Sequence, residues 1–256
     1  MPNPMDLTER KIIITGAAQG IGEAVARLAH GLGAHVILND MKKDQLDQLV
    51  DDLGERAEAH VGSVTDYDFV QNMVREVVQA HGAVHGLVNN AGIVRAAMAK
   101  NMPQETWQSV IDVNLSGAFY CLQAVGQHMI ERIESGDTSP ASIVNISSDA
   151  GRRGTIGQIN YGAAKSGVMG LTMSAAREWS PLGIRINSVL FGVVETPMTE
   201  VIRSDKFRDG VLNQVVMKRF STPEEVSQPV CFLLSEGASY ITGQHLSVNG
   251  GYTIGV

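Results

Sequence analysis

Three residues in the middle of the chain have side chains that could move a proton to or from an oxygen atom. Tyr161 and Lys165 fall within 158–179, a proline-free stretch rich in Ala, Met and Leu that predicts a helix. One turn apart, phenol and ammonium share a helix face, so the positive charge should lower the phenol pKa from about 10 towards neutrality. Ser148 follows an apolar run that predicts a strand, and α/β folds place ligand contacts at strand ends. Tyr161 is therefore a candidate proton donor or acceptor, with chance pairing on a helix surface as the alternative.

Alternating strands and helices are predicted around these residues. Short runs rich in Val and Ile predict strands at 11–15, 35–39, 57–61, 84–89, 142–147, 184–190 and 245–248. Helix-period segments lie between them, at about 20–32, 43–53, 66–80, 104–132, 158–179 and 223–235. This alternation predicts an α/β fold with a doubly wound parallel sheet of about seven strands and helices on both faces. We expect a single domain over 1–256, with a mobile substrate segment at about 197–220.

A glycine-rich turn, TGAAQGIG at 15–22, connects the first predicted strand to the first predicted helix. Gly16, Gly20 and Gly22 would let the backbone approach a pyrophosphate at the helix N-terminus, as in Rossmann-type folds. The spacing Gly-x3-Gly-x-Gly differs from the usual Gly-x-Gly-x2-Gly fingerprint. Asp40 ends the second predicted strand, where a carboxylate can accept from both ribose hydroxyls and repel a 2′-phosphate. Its alternative role is to cap the helix that follows.

Two asparagine-containing sites are candidate functional positions because of where they lie in the predicted elements. NNAG at 89–92 ends the fourth predicted strand, on the side where a ligand crevice is expected, although it could also be an ordinary polar turn. Asn114 interrupts a predicted helix, in which asparagine is a poor interior residue. Its apolar neighbours suggest burial, and a buried amide needs hydrogen-bond partners; a solvated position is the alternative.

Composition narrows the classes of partner. The 256 residues carry a net charge of −7 with no large cluster of Lys and Arg, which argues against nucleic acid and anionic membranes as partners. No apolar run reaches the roughly 20 residues that span a bilayer, and we expect a cytoplasmic protein. Cys121 and Cys231 lie in apolar patterns and are expected to be buried free thiols. The seven histidines are scattered along the sequence, so no metal site is inferred.

Together these motifs resemble the short-chain dehydrogenase/reductase family over nearly the whole chain, from about 7 to 251. The matching pieces are TGAAQGIG at 15–22, the acid at 40, NNAG at 89–92, Asn114, Ser148, YGAAK at 161–165, GVVETPM at 192–198 and SYITGQHLSVNGG at 239–251. Within the family, the stretch 92–119 is most similar to the 3-oxoacyl-thioester (3-oxoacyl-ACP) reductase branch.

The resemblance implies a catalytic tetrad. Ser148 would hydrogen-bond the substrate oxygen and Tyr161 would pass the proton. Lys165 would bind the nicotinamide ribose and lower the pKa of the phenol, and Asn114 would hold a water molecule that links Lys165 to solvent. The hydride would belong to the cofactor, while the protein supplies position and proton.

The resemblance also implies a site for NAD. Its residues would be Gly16, Gln19, Gly20, Ile21, Gly22, Asp40, Ser63, Val64, Asn90, Ala91, Gly92, Tyr161, Lys165, Val194 and Thr196. NADP-preferring relatives carry a basic residue where this chain has Gln19 or Met41, and Asp40 would face the 2′ position. NAD(H) is therefore expected to be favoured, unless Lys42 or Lys43 turns inward to meet a phosphate.

Three departures from the family pattern bear on the substrate. Phe191-Gly192 stands in place of the usual Pro-Gly, so Phe191 is expected near the substrate. Ser63-Val64 replaces the Asp-Val pair that usually contacts adenine. The polar segment 134–140 is longer than usual, and basic residues that would dock an acyl carrier protein are hard to place. The substrate pocket is expected to be apolar, formed by Ile93, Val94, Phe191, Val193, Met198 and Met217.

The sequence thus predicts an NAD-dependent oxidoreductase that interconverts a secondary alcohol and a ketone, with a 3-oxoacyl thioester as the expected substrate. Alternatives are a general alcohol, hydroxysteroid, sugar or diol dehydrogenase of the same family, and a non-catalytic NAD-binding regulator. The resemblance implies a homotetramer in which the helices predicted at 104–132 and 158–179 pair across a two-fold axis.

Overall fold

Seven parallel strands form one sheet in the computed structural model, which describes residues 3–255. The order across the sheet is β3-β2-β1-β4-β5-β6-β7. Strands β2 and β3 are therefore added on one side of β1, and β4 to β7 are added on the other side. The strands are β1 (Lys11–Thr15), β2 (His35–Asp40), β3 (Ala57–Val61), β4 (Gly86–Asn89), β5 (Ala141–Ser148), β6 (Ile184–Phe191) and β7 (His245–Val248). The predicted doubly wound α/β fold is confirmed.

Helices cover both faces of the sheet. They are α1 (Gly20–Gly31), α2 (Lys43–Leu53), α3 (Tyr67–His81), α4 (Gln104–Ile111), α5 (Gly117–Glu134), α6 (Asp149–Arg153), α7 (Ile159–Trp179), α8 (Glu200–Arg203), α9 (Asp205–Leu212) and α10 (Pro223–Leu234). One apolar cluster joins the sheet to α1, α2 and α10, and a second joins the opposite face to α3, α5 and α7. Burial on both faces explains why the central strands are nearly continuous runs of Val, Ile and Leu.

The single helix predicted at 104–132 is wrong in one respect, because a π-helical turn, Asp112–Ser116, separates α4 from α5. The amide Nδ2 of Asn114 donates to the carbonyl oxygen of Val110 at 2.9 Å, four residues earlier. This side-chain donor competes with the backbone N–H groups of the helix for that acceptor. Such single-turn π-bulges occur frequently at functional sites.

The segment at about 197–220 forms a short 3-10 turn followed by α8, α9 and a further turn. Its mobility stays a prediction. Arg203 donates to the carbonyl oxygen of Thr196 at 3.0 Å. The backbone N–H of Met217 donates to the carbonyl oxygen of Gly250 at 3.0 Å. These bonds tie the segment to the loop after β6 and to the C-terminal loop. Within residues 3–255, no helix is both long and apolar enough to cross a bilayer.

The two cysteines are buried free thiols, as the sequence predicts. Burial raises the pKa of each thiol to about 12. Neither thiol is therefore activated as a nucleophile.

Acid should destabilise the fold partly through His85, whose Nδ1 accepts from the backbone N–H of Lys11 at 3.1 Å. Burial, reinforced by the charge of Arg132, lowers the pKa of His85 to about 4. Because the folded pKa lies below the unfolded value, His85 contributes stability above about pH 6.5 that is lost as the pH falls towards 4. We expect His85→Asn, whose amide oxygen can still accept, to reduce the loss of unfolding free energy between pH 6.5 and 4, measured by urea titration. An unchanged pH dependence would rule this out.

Candidate active site

A cavity of about 330 Å³ opens at the carboxyl ends of the strands, where the sheet order reverses between β1 and β4. Open α/β sheets bind ligands at this position. Most of the predicted cofactor residues line it, namely Gly16, Gln19, Gly20, Ile21, Asp40, Ser63, Val64, Asn90, Ala91, Gly92 and Thr196. Met41 and Lys42, which bear on the choice between NAD and NADP, line it as well, and so do Asn39, Gly62, Val113 and Pro197, which sequence reasoning did not place in the site.

Where β1 leads into α1, two of the glycines, Gly16 and Gly22, have no room for a side chain. Gly16 has a φ of +65°, and a Cβ there would lie 2.8 Å from the Cα of Ala91. At Gly22, which does not line the cavity, an added Cβ would lie 2.1 Å from the carbonyl oxygen of Gly16. The bare backbone turn ahead of a helix N-terminus fits a dinucleotide pyrophosphate, which such N-termini attract.

Thr15, which sequence reasoning did not place in the site, fixes the two loops that form the floor of the cavity. Its Oγ1 accepts from the backbone N–H groups of Asn90 and Ala91, both at 3.0 Å. The side chain of Asn90 donates in return to the carbonyl oxygens of Thr15 and Gly16, both at 3.0 Å. Asn90 is therefore more than an ordinary polar turn residue. The role of Thr15 could have been predicted from its position, because it is a hydroxyl residue directly before the glycine turn.

Asp40 is held by two backbone N–H groups at the mouth of the cavity. Its Oδ2 accepts from Ala18 at 3.1 Å and its Oδ1 from Lys42 at 3.0 Å. The N-cap position of α2 is Lys42, so Asp40 does not cap that helix. Lys42 itself lines the cavity, and its Nζ donates to Oε1 of Gln19 at 2.6 Å. Asp40 and Lys42, one acidic and one basic, therefore both line the part of the cavity where an adenosine ribose would lie.

The proton-transfer candidates converge where β5 ends and α7 begins. Ser148 is the last residue of β5, and its Oγ accepts from the backbone N–H of Ala150 at 3.2 Å. A hydrogen bond with Ser148 lowers the pKa of Tyr161, although burial outweighs it. The Nζ of Lys165 lies 5.7 Å from the centre of the Tyr161 ring. The fold thus brings Ser148, Tyr161 and Lys165 together as the sequence predicts.

The predicted lowering of the phenol pKa is not seen in this structure. Burial raises the pKa of Tyr161 to about 12 and lowers that of Lys165 to about 8. The Nζ of Lys165 donates to the carbonyl oxygen of Ile146 at 2.8 Å, and it stands over the Tyr161 ring, 5.7 Å from the ring centre. Placing the two residues one helical turn apart brings them close, but desolvation has the larger effect on both groups.

Asn114 is buried beside Lys165, next to the backbone of Gly92. Its Nδ2 donates to the carbonyl oxygens of Ile93 and Val110, both at 2.9 Å, while its buried Oδ1 has no hydrogen-bond partner. A Cβ added to Gly92 would lie 2.7 Å from this Oδ1 and 3.6 Å from the Nζ of Lys165. The free acceptor is therefore aimed at the small space beside the Lys165 amine.

Asn160, another residue missed by sequence reasoning, anchors the start of α7. Its fully buried side chain donates to the carbonyl oxygens of Arg95 and Thr106, at 3.0 and 3.2 Å. Its Oδ1 accepts from the backbone N–H of Tyr161 at 2.8 Å. Asn160 thus fixes the backbone of Tyr161 against α4 and the loop that precedes it.

Several residues lie elsewhere than expected. Phe191 was expected near the substrate, but it is only 4% exposed and packs in the core with Val189 and Val194. The reason is its place as the last residue of β6, paired with Ser148 on β5. Val194 is buried and does not line the cavity. Ile93 and Met198 line the cavity, whereas Met217 is 59% exposed.

Comparison with known proteins agrees with this architecture. The family model described as "Enoyl-(Acyl carrier protein) reductase" matches residues 16–253. A Thermotoga maritima protein named 3-oxoacyl-[acyl-carrier-protein] reductase FabG is 43% identical over 253 residues, covering 98% of this chain and 100% of that protein. A Staphylococcus epidermidis protein of the same name is 39% identical, covering 94% of this chain and 98% of that protein.

Solved structures are similar over almost the same extent. A short-chain type dehydrogenase/reductase from Mycobacterium marinum superposes with a TM-score of 0.91 at 29% identity, covering 98% of each chain. The protein gox2181 superposes with a TM-score of 0.92 at 35% identity, covering 97% of each chain. The chain therefore belongs to the short-chain dehydrogenase/reductase family and is an oxidoreductase of that family.

Proposed function

We propose that the protein uses NAD(H) to interconvert a 3-oxoacyl thioester and the corresponding 3-hydroxyacyl thioester. The observation that carries the proposal is the pair of hydroxyl groups, Ser148 and Tyr161, beside the Lys165 amine. Two hydroxyls suit the binding of one carbonyl or alkoxide oxygen, which a ketone or a secondary alcohol supplies. The names of the Thermotoga and Staphylococcus relatives favour a thioester substrate.

In this proposal the protein binds the substrate and moves one proton. Ser148 orients the substrate oxygen by a hydrogen bond, and Tyr161 gives its phenolic proton to that oxygen during reduction or takes one during oxidation. A bound nicotinamide dinucleotide would supply or accept the hydride. Tyr161 and Lys165 would contact its nicotinamide ribose, while the backbone near Val194 and the hydroxyl of Thr196 would hold its carboxamide.

Lys165 and Asn114 would then connect the phenol with solvent, which resupplies its proton after reduction and accepts its proton after oxidation. The amine of Lys165, with a pKa of about 8, can exchange protons near neutral pH. The unpartnered Oδ1 of buried Asn114 fits the role of holding a water molecule beside that amine. Such a water molecule would give the phenol a route for its proton without opening the site.

NAD(H) should be favoured over NADP(H) by at least about tenfold in kcat/KM, because the Asp40 carboxylate would repel a 2′-phosphate. The two backbone N–H groups that bind Asp40 keep it at the cavity mouth. Lys42, which is bound to Gln19 at 2.6 Å, is the group that could offset this repulsion. Steady-state rates with both reduced cofactors give the ratio.

Two variants separate the contributions of Asp40 and Lys42 to the cofactor preference. Asp40→Ala should move the ratio towards NADPH by about tenfold, since Lys42 is then left without the competing carboxylate. Lys42→Ala should move it further towards NADH. Equal efficiencies of the two cofactors in the unmodified protein would contradict the preference.

Acetoacetyl-CoA or a longer homologue should be reduced with a kcat/KM at least about ten times that of simple cyclic or aryl ketones, a difference of roughly 1.4 kcal/mol in transition-state binding. The physical reason is that an acyl chain and a pantetheine arm would extend over the apolar edge that includes Ile93 and Met198. Measuring both substrate sets under one condition decides the point. Preference for the simple ketones would instead favour a general alcohol dehydrogenase.

The assembly and the location complete the proposal. We propose a homotetramer, because α5 and α7 leave Phe119 and Met173 39% and 47% exposed, a pattern that suits pairing with another copy. A cytoplasmic location, with no nucleic acid or membrane partner, stays a prediction.

A further inference from the structure

A cluster of histidines around one carboxylate lies at the β3 edge of the sheet, outside the residues that line the cavity. His35 begins β2, Glu58 and His60 lie on β3, and His81 ends α3. The sheet register pairs Glu58 with Ile37, two residues beyond His35. Since side chains alternate along a strand, His35, Glu58 and His60 lie on the same face, which α3 covers. The fold thereby unites residues that are far apart in sequence.

The nitrogen and oxygen atoms of this cluster converge on one point. The Nε2 of His81 lies 3.0 Å from Oε2 of Glu58, and the Nε2 of His35 lies 4.0 Å from the same oxygen. All three ligand atoms lie within 4.8 Å of one another. Ligands of a tetrahedral zinc ion are about 3.3 Å apart, given metal–ligand bonds of about 2.0 Å. Small side-chain rotations would close the remaining gap.

The cluster is largely buried, and one of its nitrogen atoms has no hydrogen-bond partner. The side chains of His35, Glu58 and His81 are 23%, 30% and 20% exposed. The Nε2 of His35 is buried and has no hydrogen-bond partner, although it faces a carboxylate and another imidazole. The ring centres of His35 and His81 are 4.3 Å apart, and the two ring planes are inclined by 51°. A buried imidazole nitrogen without a partner is costly unless something else binds its lone pair.

His60 supplies the kind of outer contact that orients a metal-binding carboxylate. Its Nε2 lies 3.4 Å from Oε1 of Glu58, so one carboxylate oxygen is held by His60 and the other faces His35 and His81. Carboxylate ligands in metal sites are commonly fixed by hydrogen bonds of this type.

We propose that His35, Glu58 and His81 bind one divalent transition-metal ion, with Zn²⁺ as the expected occupant. Two imidazole nitrogens and one carboxylate oxygen suit zinc, which readily keeps a water molecule as its fourth ligand. On binding, the ring proton of His81 moves from Nε2 to Nδ1, so that the Nε2 lone pair meets the metal. The ion clamps the edge strand β3 to β2 and to the end of α3, and it takes no part in hydride transfer.

The test is zinc binding by the full chain without an affinity tag, after treatment with EDTA. Calorimetry should show one Zn²⁺ per chain, and saturating zinc should raise the melting temperature by about 5 °C. Glu58→Gln and His81→Gln should each weaken zinc binding at least tenfold. His30→Gln is the matched control, because His30 also lies in the last turn of a helix but binds the carbonyl oxygen of Glu55 outside the cluster.

The proposal fails if the unmodified chain binds no zinc below about 100 µM. It also fails if Glu58→Gln and His81→Gln bind zinc as tightly as the control. Should either variant not fold, the unmodified chain decides alone. Bound Co²⁺ that absorbs visible light and is displaced by one equivalent of Zn²⁺ supports the site, and a spectrum like that of free Co²⁺ overturns it.

Discussion

Tyr161→Phe should lower kcat about 1,000-fold while leaving the dissociation constant for NADH within about threefold of the unmodified value. The substitution removes only the phenolic oxygen, which is the proposed proton donor. Ser148 remains, but it would only orient the substrate oxygen. Cofactor binding should persist because the glycine turn, Asp40 and Lys165 are untouched. Steady-state rates and the fluorescence of bound NADH give the two values.

Tyr240→Phe is the matched control, because Tyr240 is fully exposed and lies outside the cavity lining. It should keep the full kcat. If Tyr161→Phe retained a tenth of the unmodified kcat, the proton would have to come from another group, and the proposed role of the phenol would be wrong.

Gly22→Ala should weaken NADH binding at least tenfold and lower the free energy of unfolding by about 2–3 kcal/mol. The added Cβ would lie 2.1 Å from the carbonyl oxygen of Gly16 and 2.6 Å from Nδ2 of Asn90. Backbone atoms cannot move aside as a flexible side chain can, so the turn that would bind the pyrophosphate must shift. Chemical denaturation and NADH titration measure the two effects.

Gly31→Ala provides the comparison on the same helix. A Cβ at Gly31 meets nothing within 4 Å, so this variant should bind NADH normally and gain up to about 1 kcal/mol of helix propensity. Equal NADH affinities for the two variants would show that close packing at Gly22 is not needed for the site.

Much of this molecule follows from local sequence patterns. Strands buried on both faces give continuous apolar runs, and for this reason β1 begins and ends where the sequence predicts. The partly exposed edge strands β3 and β7 also have the predicted bounds. The loops that would bind the cofactor could also be predicted, because glycines and an acidic residue at strand ends have few other roles. Only Gly22 and Val194 of the predicted loop residues fail to line the cavity.

Other features depend on contacts between distant residues. The π-turn depends on Asn114 reaching back to Val110. The structural role of Asn160 depends on two carbonyl oxygens, one in the loop after β4 and one in α4. Phe191 seemed free to reach the substrate, but its strand register directs it into the core. Likewise, scattered histidines gave no sign of a metal site, whereas the pairing of β2 with β3 brings His35 and Glu58 together. Sequence spacing carries no information on such contacts.

The transfer of deuterium from [4,4-²H₂]NADH, which is labelled on both faces of the nicotinamide, to acetoacetyl-CoA tests the central claim most directly. The proposed reaction predicts 3-hydroxybutyryl-CoA with one deuterium on the carbon that bears the hydroxyl group, formed one for one with oxidised cofactor. Mass spectrometry of the product locates the label, and Tyr161→Phe should yield almost none. Cofactor binding without labelled product, or a label placed elsewhere on the acyl chain, would contradict the account.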